Sequence, residues 1–147
     1  MKLLIAASVL ALLAGCASHG KSDDAIYREA ADAHVMTLPA GQNKVSLPAT
    51  KIQSHGLIAD NLAIAAGGGA NATLLKQQLL IAKSAGESGF LIIGAGTSLD
   101  VAILKNAFES LDLNGMRIYY AGGEGQKDAA RSAVEKAQAK FQYISVQ

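Results

Sequence analysis

Glycine-rich stretches that directly follow apolar runs contain the residue types that bind anions. Gly94-Ala95-Gly96-Thr97-Ser98 is the best of them, because its glycines let the backbone approach a ligand and the helix after it offers free N–H groups. It lacks the third glycine of a dinucleotide fingerprint and the lysine of a P-loop. A phosphate or carboxylate site and a turn that needs glycine for steric reasons alone both remain open. The candidate ligand-binding residues are Gly94, Gly96, Thr97, Ser98, Asn71 and Glu124.

The serine of this stretch is a weak candidate for nucleophilic catalysis. Ser98 lies outside the Gly-x-Ser-x-Gly pattern of a nucleophile elbow. A triad of Ser98, His55 and Asp60 can be written, but no spacing in the sequence selects it. Glu124 lies beside helix-start amides, where a carboxylate favours the helix dipole rather than acting as a base. We therefore predict no catalytic residue and no enzyme activity.

The glycine-rich stretches belong to a repeat of strand, glycine turn and helix. Strands are predicted over 61–66, 90–93, 116–120 and 141–146, and helices over 72–85, 99–111 and 126–139. This alternation predicts an α/β fold with a mostly parallel sheet of four or more strands. Right-handed crossovers would gather the turns at 67–71, 94–98 and 122–126 at the carboxyl edge of the sheet, where ligands usually bind.

Two of the predicted helices carry further expectations. Thr97 is the predicted N-cap of 99–111, and Asp100, three residues on, is expected to return the bond in a capping box. In 72–85 the apolar residues cover nearly half of the circumference, and Leu80 points away from the rest. That breadth indicates either burial on two sides or contact with a partner.

The segment before the repeat is less regular. Residues 17–24 are small and polar, and they are predicted to form a tether. A short helix is predicted over 25–33, with Asp23 or Asp24 as its N-cap. Short apolar runs at 35–38 and 44–47 then predict a hairpin or two irregular strands.

The start of the chain has the layout of a secretory signal peptide. Lys2 supplies a positive charge, and the apolar stretch 3–13 is too short to span a bilayer. Leu13-Ala14-Gly15-Cys16 then resembles the lipobox of bacterial lipoproteins. The resemblance implies a diacylglycerol on the Cys16 thiol, cleavage before it and acylation of the new N-terminus. In that family an aspartate after the cysteine favours the inner membrane, so Ala17 implies the outer membrane of a Gram-negative host.

The predicted domains are a signal peptide at 1–15, a lipidated cysteine with tether and short helix at 16–33, and a single α/β domain at 34–147. Cleavage leaves 132 residues and removes Lys2, so 12 Lys and Arg face 12 Asp and Glu. This balance gives no electrostatic case for nucleic acid. Cys16 is the sole cysteine, and a lipidated sulfur cannot bind a metal. An interchain disulfide or a free thiol is the alternative for Cys16. We predict no metal and no cofactor.

These expectations define a function for the chain. We expect a lipoprotein on the periplasmic face of the outer membrane that acts without catalysis, as an accessory or structural part of an envelope assembly of the secretion, conjugation or pilus type. Such a protein needs a protein partner and an exposed apolar patch, which we expect around Leu80. A module that binds a small anion at the glycine edge is the alternative, and a small hydrolase is the least favoured reading.

Overall fold

The computed structural model describes residues 20–42 and 44–147, so the predicted signal peptide and Cys16, the predicted site of lipidation, lie outside the described residues. In chain order the elements are α1 (Asp23–Val35), β1 (Ala49–Lys51), α2 (Leu57–Ala65), α3 (Gly69–Ser84), β2 (Gly89–Ile93), α4 (Ser98–Phe108), β3 (Arg117–Ala121), a 3-10 turn (Glu124–Gln126), α5 (Lys127–Lys136) and β4 (Lys140–Tyr143). None of the helices in this part of the chain is both long and apolar enough to cross a membrane.

The predicted parallel sheet is confirmed. Four strands pair in the order β1-β2-β3-β4, and every pairing is parallel. Each crossover therefore advances by one strand in the same direction, which puts all the crossover helices on one face when every crossover has the usual hand. Strand β2 is buried along its whole length, as an internal strand of a parallel sheet must be.

The sheet separates two apolar cores. The larger core lies between the sheet and helices α2 to α5, with α4 in contact with α2, α3 and α5. The smaller core lies on the opposite face, where Ile26 and Ala30 of α1 meet Leu91 and Tyr119. The domain thus has three layers: helix α1, the sheet, and helices α2 to α5. The carboxyl ends of the four strands lie at one edge of the sheet, between the two helical layers.

One predicted strand is wrong. Of the predicted strand 61–66, residues 61–65 belong to helix α2 and Ala66 is its C-cap. A short apolar run fits a strand and a buried helix equally well, and alanines favour the helix. Strand β1 instead has the sequence Ala49-Thr50-Lys51 and pairs with the buried strand β2. Its pairing, not its composition, makes it a strand.

The predicted hairpin after the first helix is also wrong. Helix α1 extends to Val35 and is capped by Ser22, whose Oγ accepts from the Ala25 N–H at 3.2 Å. The run 44–47 is irregular backbone, and Leu47 is buried under α1. Helix α1 thus contributes to the core of the domain.

Candidate functional site

The loop Gly94-Ala95-Gly96-Thr97-Ser98 joins β2 to α4 at the carboxyl edge, as predicted. Thr97 is the N-cap of α4, and its Oγ1 accepts from the Leu99 N–H at 3.3 Å. Gly96 has a φ of 78°, a conformation that glycine adopts without strain. Ser98 is exposed and lines a groove along α4.

Asp100 is the centre of this loop, although it is fully buried in the first turn of α4. Its Oδ1 accepts from the Ala95 N–H at 2.8 Å, and its Oδ2 accepts from the Gly96 N–H at 3.0 Å. The Tyr120 hydroxyl of β3 donates to the same Oδ2 at 2.6 Å. The predicted capping box is therefore only half present: Thr97 caps the helix, but Asp100 reaches past it to the glycine loop.

The electrostatics of Asp100 follow from its burial. Burial raises the pKa of this carboxyl, while the hydrogen bonds from Tyr120, Ala95 and Gly96 oppose the rise. Burial and the Asp100 carboxylate together raise the pKa of Tyr120. The loop amides that an external anion would use are thus occupied by a carboxylate of the chain itself. Asp100 touches no solvent, so it holds the loop in place rather than reacting with a ligand.

The turn after β3 lies against this loop. A Cβ at Gly123 would lie 3.1 Å from the Gly96 oxygen, so the two turns are in close contact. A Cβ at Gly122 would collide with the Tyr120 hydroxyl, so glycine is needed there for steric reasons. Glu124 is exposed and forms an ion pair with Lys127 at 3.2 Å. The Glu124 carboxylate is therefore already paired with a lysine three residues further along the chain.

The first glycine-rich stretch does not join the other two. Gly67 and Gly68 connect helix α2 to helix α3, because no strand precedes them. Asn106, near the end of α4, donates its Nδ2 hydrogen to the Gly67 oxygen at 2.8 Å. The structure therefore places Asn71 in the first turn of α3, after a connection between helices rather than at a strand-to-helix turn.

The conceivable catalytic triad of Ser98, His55 and Asp60 does not form in the structure. Asp60 Oδ2 accepts from the Ser54 hydroxyl at 2.5 Å, and Oδ1 accepts from the His55 N–H at 2.9 Å. The Ser54 bond and then the His55 bond lower the pKa of Asp60. Both carboxylate oxygens of Asp60 hold the loop that leads into α2, which is a structural role.

A second polar cluster that sequence reasoning missed surrounds the buried side chain of His34. His34 is only 1% exposed, its Nδ1 lies 3.0 Å from the Tyr119 hydroxyl, and its Nε2 lies 3.1 Å from the Ser88 hydroxyl. Burial, followed by the charge of Arg117, lowers the pKa of His34. The available signal was the spacing of Ile26, Ala30 and His34 at every fourth residue of α1. The cluster lies at the amino edge of the sheet, away from the glycine turns.

The part of the surface that the structure describes carries a large groove and exposed apolar side chains on α2 and α3, besides those of Tyr27, Val35, Met36 and Val45. The groove has a volume of about 1330 Å³ and runs along α4 between α2 and α5. Leu57, Ile58 and Leu62 of α2 are 78%, 79% and 68% exposed, and we call them the α2 face. Leu74, Leu80 and Ile81 of α3 are 52%, 46% and 68% exposed, and we call them the α3 patch.

The breadth of the apolar surface predicted for 72–85 is thereby explained in part. Leu75 and Leu79 are buried in the larger core, whereas the α3 patch faces solvent.

No group of His, Cys, Asp or Glu side chains within 20–42 and 44–147 could hold a metal ion. The chain matches no family model, no curated protein and no solved structure.

Proposed function

We propose that this chain is a lipoprotein anchored through Cys16 to the periplasmic face of the outer membrane, where it acts by protein contact as an accessory or structural component of an envelope assembly. The anchor part of the proposal rests on the lipobox resemblance of Leu13-Ala14-Gly15-Cys16. The contact part rests on the exposed apolar surface of the folded domain.

The α3 patch is the observation that carries the contact part. Leu74 and Ile81 lie two turns apart on one side of α3, and Leu80 is exposed about a third of a turn around the helix from them. Soluble monomers rarely leave several large aliphatic side chains of one helix in water, because removing them from water is favourable. The patch also lies near the position where the sequence predicts a partner contact.

The alternative, a module that binds a small anion at the glycine edge, has less support. The Ala95 and Gly96 amides are occupied by Asp100, and Glu124 places a negative charge in the adjacent turn. An anion there would have to displace a buried carboxylate or approach an exposed one. Both steps are unfavourable.

The proposal is tested by photocrosslinking in intact cells of the host. A photoreactive residue is introduced into the full-length chain at Ile81, and a matched control carries it at Met36. Met36 is 85% exposed and lies at the end of α1, on the other face of the sheet. We expect the Ile81 position to give a discrete crosslinked envelope protein and the Met36 position to give none.

Two further variants make the result decisive. Leu74→Ser with Leu80→Ser should remove the crosslink from Ile81 by taking away the apolar surroundings, without touching the core. In Cys16→Ser, the lipid mass expected on the N-terminal peptide of the wild type should be absent. If Ile81 and Met36 give the same pattern, the contact part is wrong; if the wild-type N-terminal peptide carries no lipid mass, the anchor part is wrong.

A further inference from the structure

The α2 face is the second apolar surface, and it differs from the α3 patch in its charge. Ile58 and Leu62 lie one turn apart, and Leu57 flanks them. From Ile52 to Leu75 the only charged residue is Asp60, whose carboxylate is turned inward to Ser54. The helix thus presents large aliphatic side chains with no ionised group among them.

The amino end of the α2 face and the first described residues lie at the same edge of the sheet. Helix α2 then runs away from that edge, because the Gly67 oxygen, just after it, accepts from Asn106 near the end of α4. Helix α2 begins after the carboxyl end of β1, where Ile52 still donates its N–H to the Ile93 oxygen at 2.8 Å. At the other end of that edge, Lys21 donates its N–H to the Val146 oxygen at 2.8 Å, beyond the carboxyl end of β4. Since β1 and β4 are three strand spacings apart, the two points are separated along the edge by about 14 Å.

The length of chain before Gly20 limits how far this edge can lie from an anchor at Cys16. Three residues separate Cys16 from Gly20, the first described residue. Four steps along a fully extended chain span at most about 14 Å. A lipid chain on Cys16 would therefore hold the carboxyl edge next to the bilayer surface.

From these observations we propose that the α2 face lies in the interface of the membrane that anchors the chain, so that the carboxyl edge of the sheet faces the lipid. The inference rests on the proposed lipid anchor. Large aliphatic side chains enter the boundary between the lipid headgroups and the acyl chains. The loss of translational and rotational entropy on docking is small, because the lipid anchor already holds the domain at the membrane surface.

The charges at this edge make the contact apolar rather than electrostatic. Lys51 pairs with Asp23 at 2.6 Å, and Lys21 pairs with Glu29 at 2.6 Å. No free cluster of lysines or arginines is therefore presented to anionic lipid by these residues. The docking should depend little on salt or on the fraction of anionic lipid.

The test places an environment-sensitive fluorophore in the full-length lipidated chain, reconstituted in vesicles of phosphatidylethanolamine and phosphatidylglycerol. Ile58→Cys and, separately, Leu62→Cys carry the label, and Met36→Cys is the matched control. Cys16 does not react, because its sulfur is a thioether in the lipidated chain. We expect a blue-shifted emission and several-fold quenching by nitroxide lipids at 58 and 62, unchanged in high salt, and neither effect at 36.

Each of three other outcomes would contradict either the membrane contact or the lipid anchor. If the chain floats with the vesicles but the labels at 58 and 62 behave like the label at 36, the membrane contact is wrong and the anchor stands. If the label at 58 is shielded only when other envelope proteins are added, or only at high protein density, the α2 face binds protein and the inference is wrong. If the N-terminal peptide carries no lipid mass and the chain does not float, the proposed function fails first.

Discussion

Removing the Tyr120 hydroxyl tests how the glycine loop is held. In Tyr120→Phe the ring keeps its packing beside Phe141 and Tyr143, whose centroids both lie 6.4 Å away. What is lost is the 2.6 Å hydrogen bond to Asp100 Oδ2. Tyr120 and Asp100 are both fully buried, so water cannot replace the hydroxyl without a rearrangement of the loop.

The expected destabilisation follows from the charge of the acceptor. A hydrogen bond to a charged group contributes about 1.5–3 kcal/mol to the free energy of unfolding. Asp100 Oδ2 retains the bond from Gly96 in the variant, so we expect a value in the lower half of that range. The matched control is Tyr27→Phe, whose hydroxyl donates to the Leu47 oxygen at 3.1 Å from a 41% exposed side chain. Removal of the Tyr27 hydroxyl should lower the free energy of unfolding by less than about 1 kcal/mol.

The pH dependence separates this hydrogen bond from a general packing defect. Burial raises the folded-state pKa of Asp100 above its ordinary value of 3.8, so the folded chain holds more protons than the unfolded chain in that window and stability falls as pH rises. The Tyr120 bond lowers the pKa, so its removal raises the pKa further and widens the window. The deficit of Tyr120→Phe should therefore grow with pH from about pH 4 upward and then level off.

The assay is urea unfolding of the full-length chain in mild detergent, followed by far-UV circular dichroism at several pH values. A Tyr120→Phe variant as stable as Tyr27→Phe would show that the Tyr120 hydroxyl does not stabilise the loop. A deficit that is the same at every pH would also contradict the prediction, because it would show that the hydroxyl does not act through the carboxylate of Asp100.

Three further predictions concern positions outside the glycine loop and use the same unfolding assay. Gly89→Ala should cost about 1–3 kcal/mol, because the new Cβ would lie 2.6 Å from the His34 ring; an unchanged midpoint would show that the ring is not held there. Gly68→Ala should destabilise more than Gly69→Ala, since both have positive φ but only the former would meet the Ile103 backbone, at 2.7 Å; equal losses would contradict this packing. The wild type should lose stability as pH falls below 6.5, the ordinary pKa of histidine, because the unfolded chain binds a proton that buried His34 resists. The His34→Gln variant should not show this loss of stability at low pH. A pH profile of stability identical to that of the wild type would contradict the prediction.

The parts of the fold that the sequence predicts are those with a strong local signal. Strand β2 is a continuous apolar run followed by glycine, and α4 combines an N-cap with an apolar stripe, so both were predicted within a few residues of their observed bounds. Strand β1 has no such signal, because Ala49-Thr50-Lys51 is short and polar. Once β1 is missed, the run 61–66 takes its place in the repeat.

The candidate site shows the same division between local and long-range information. The loop before α4 and its cap Thr97 are local features and were predicted. The partner of Asp100 is Tyr120, which lies 20 residues away on the next strand and meets it only through the β2–β3 pairing. Sequence spacing does not encode that contact, so the sequence leaves both an anion site and a purely steric turn open. In the fold, Asp100 occupies the amides of Ala95 and Gly96.

The proposed role in an envelope assembly is best tested by isolating the full-length chain from its native envelope in mild detergent. We expect a defined envelope complex with a constant ratio of partner to this chain. Leu74→Ser with Ile81→Ser should lose the partner, and Val35→Ser with Met36→Ser should keep it. Recovery of the wild-type chain alone would contradict the proposed function.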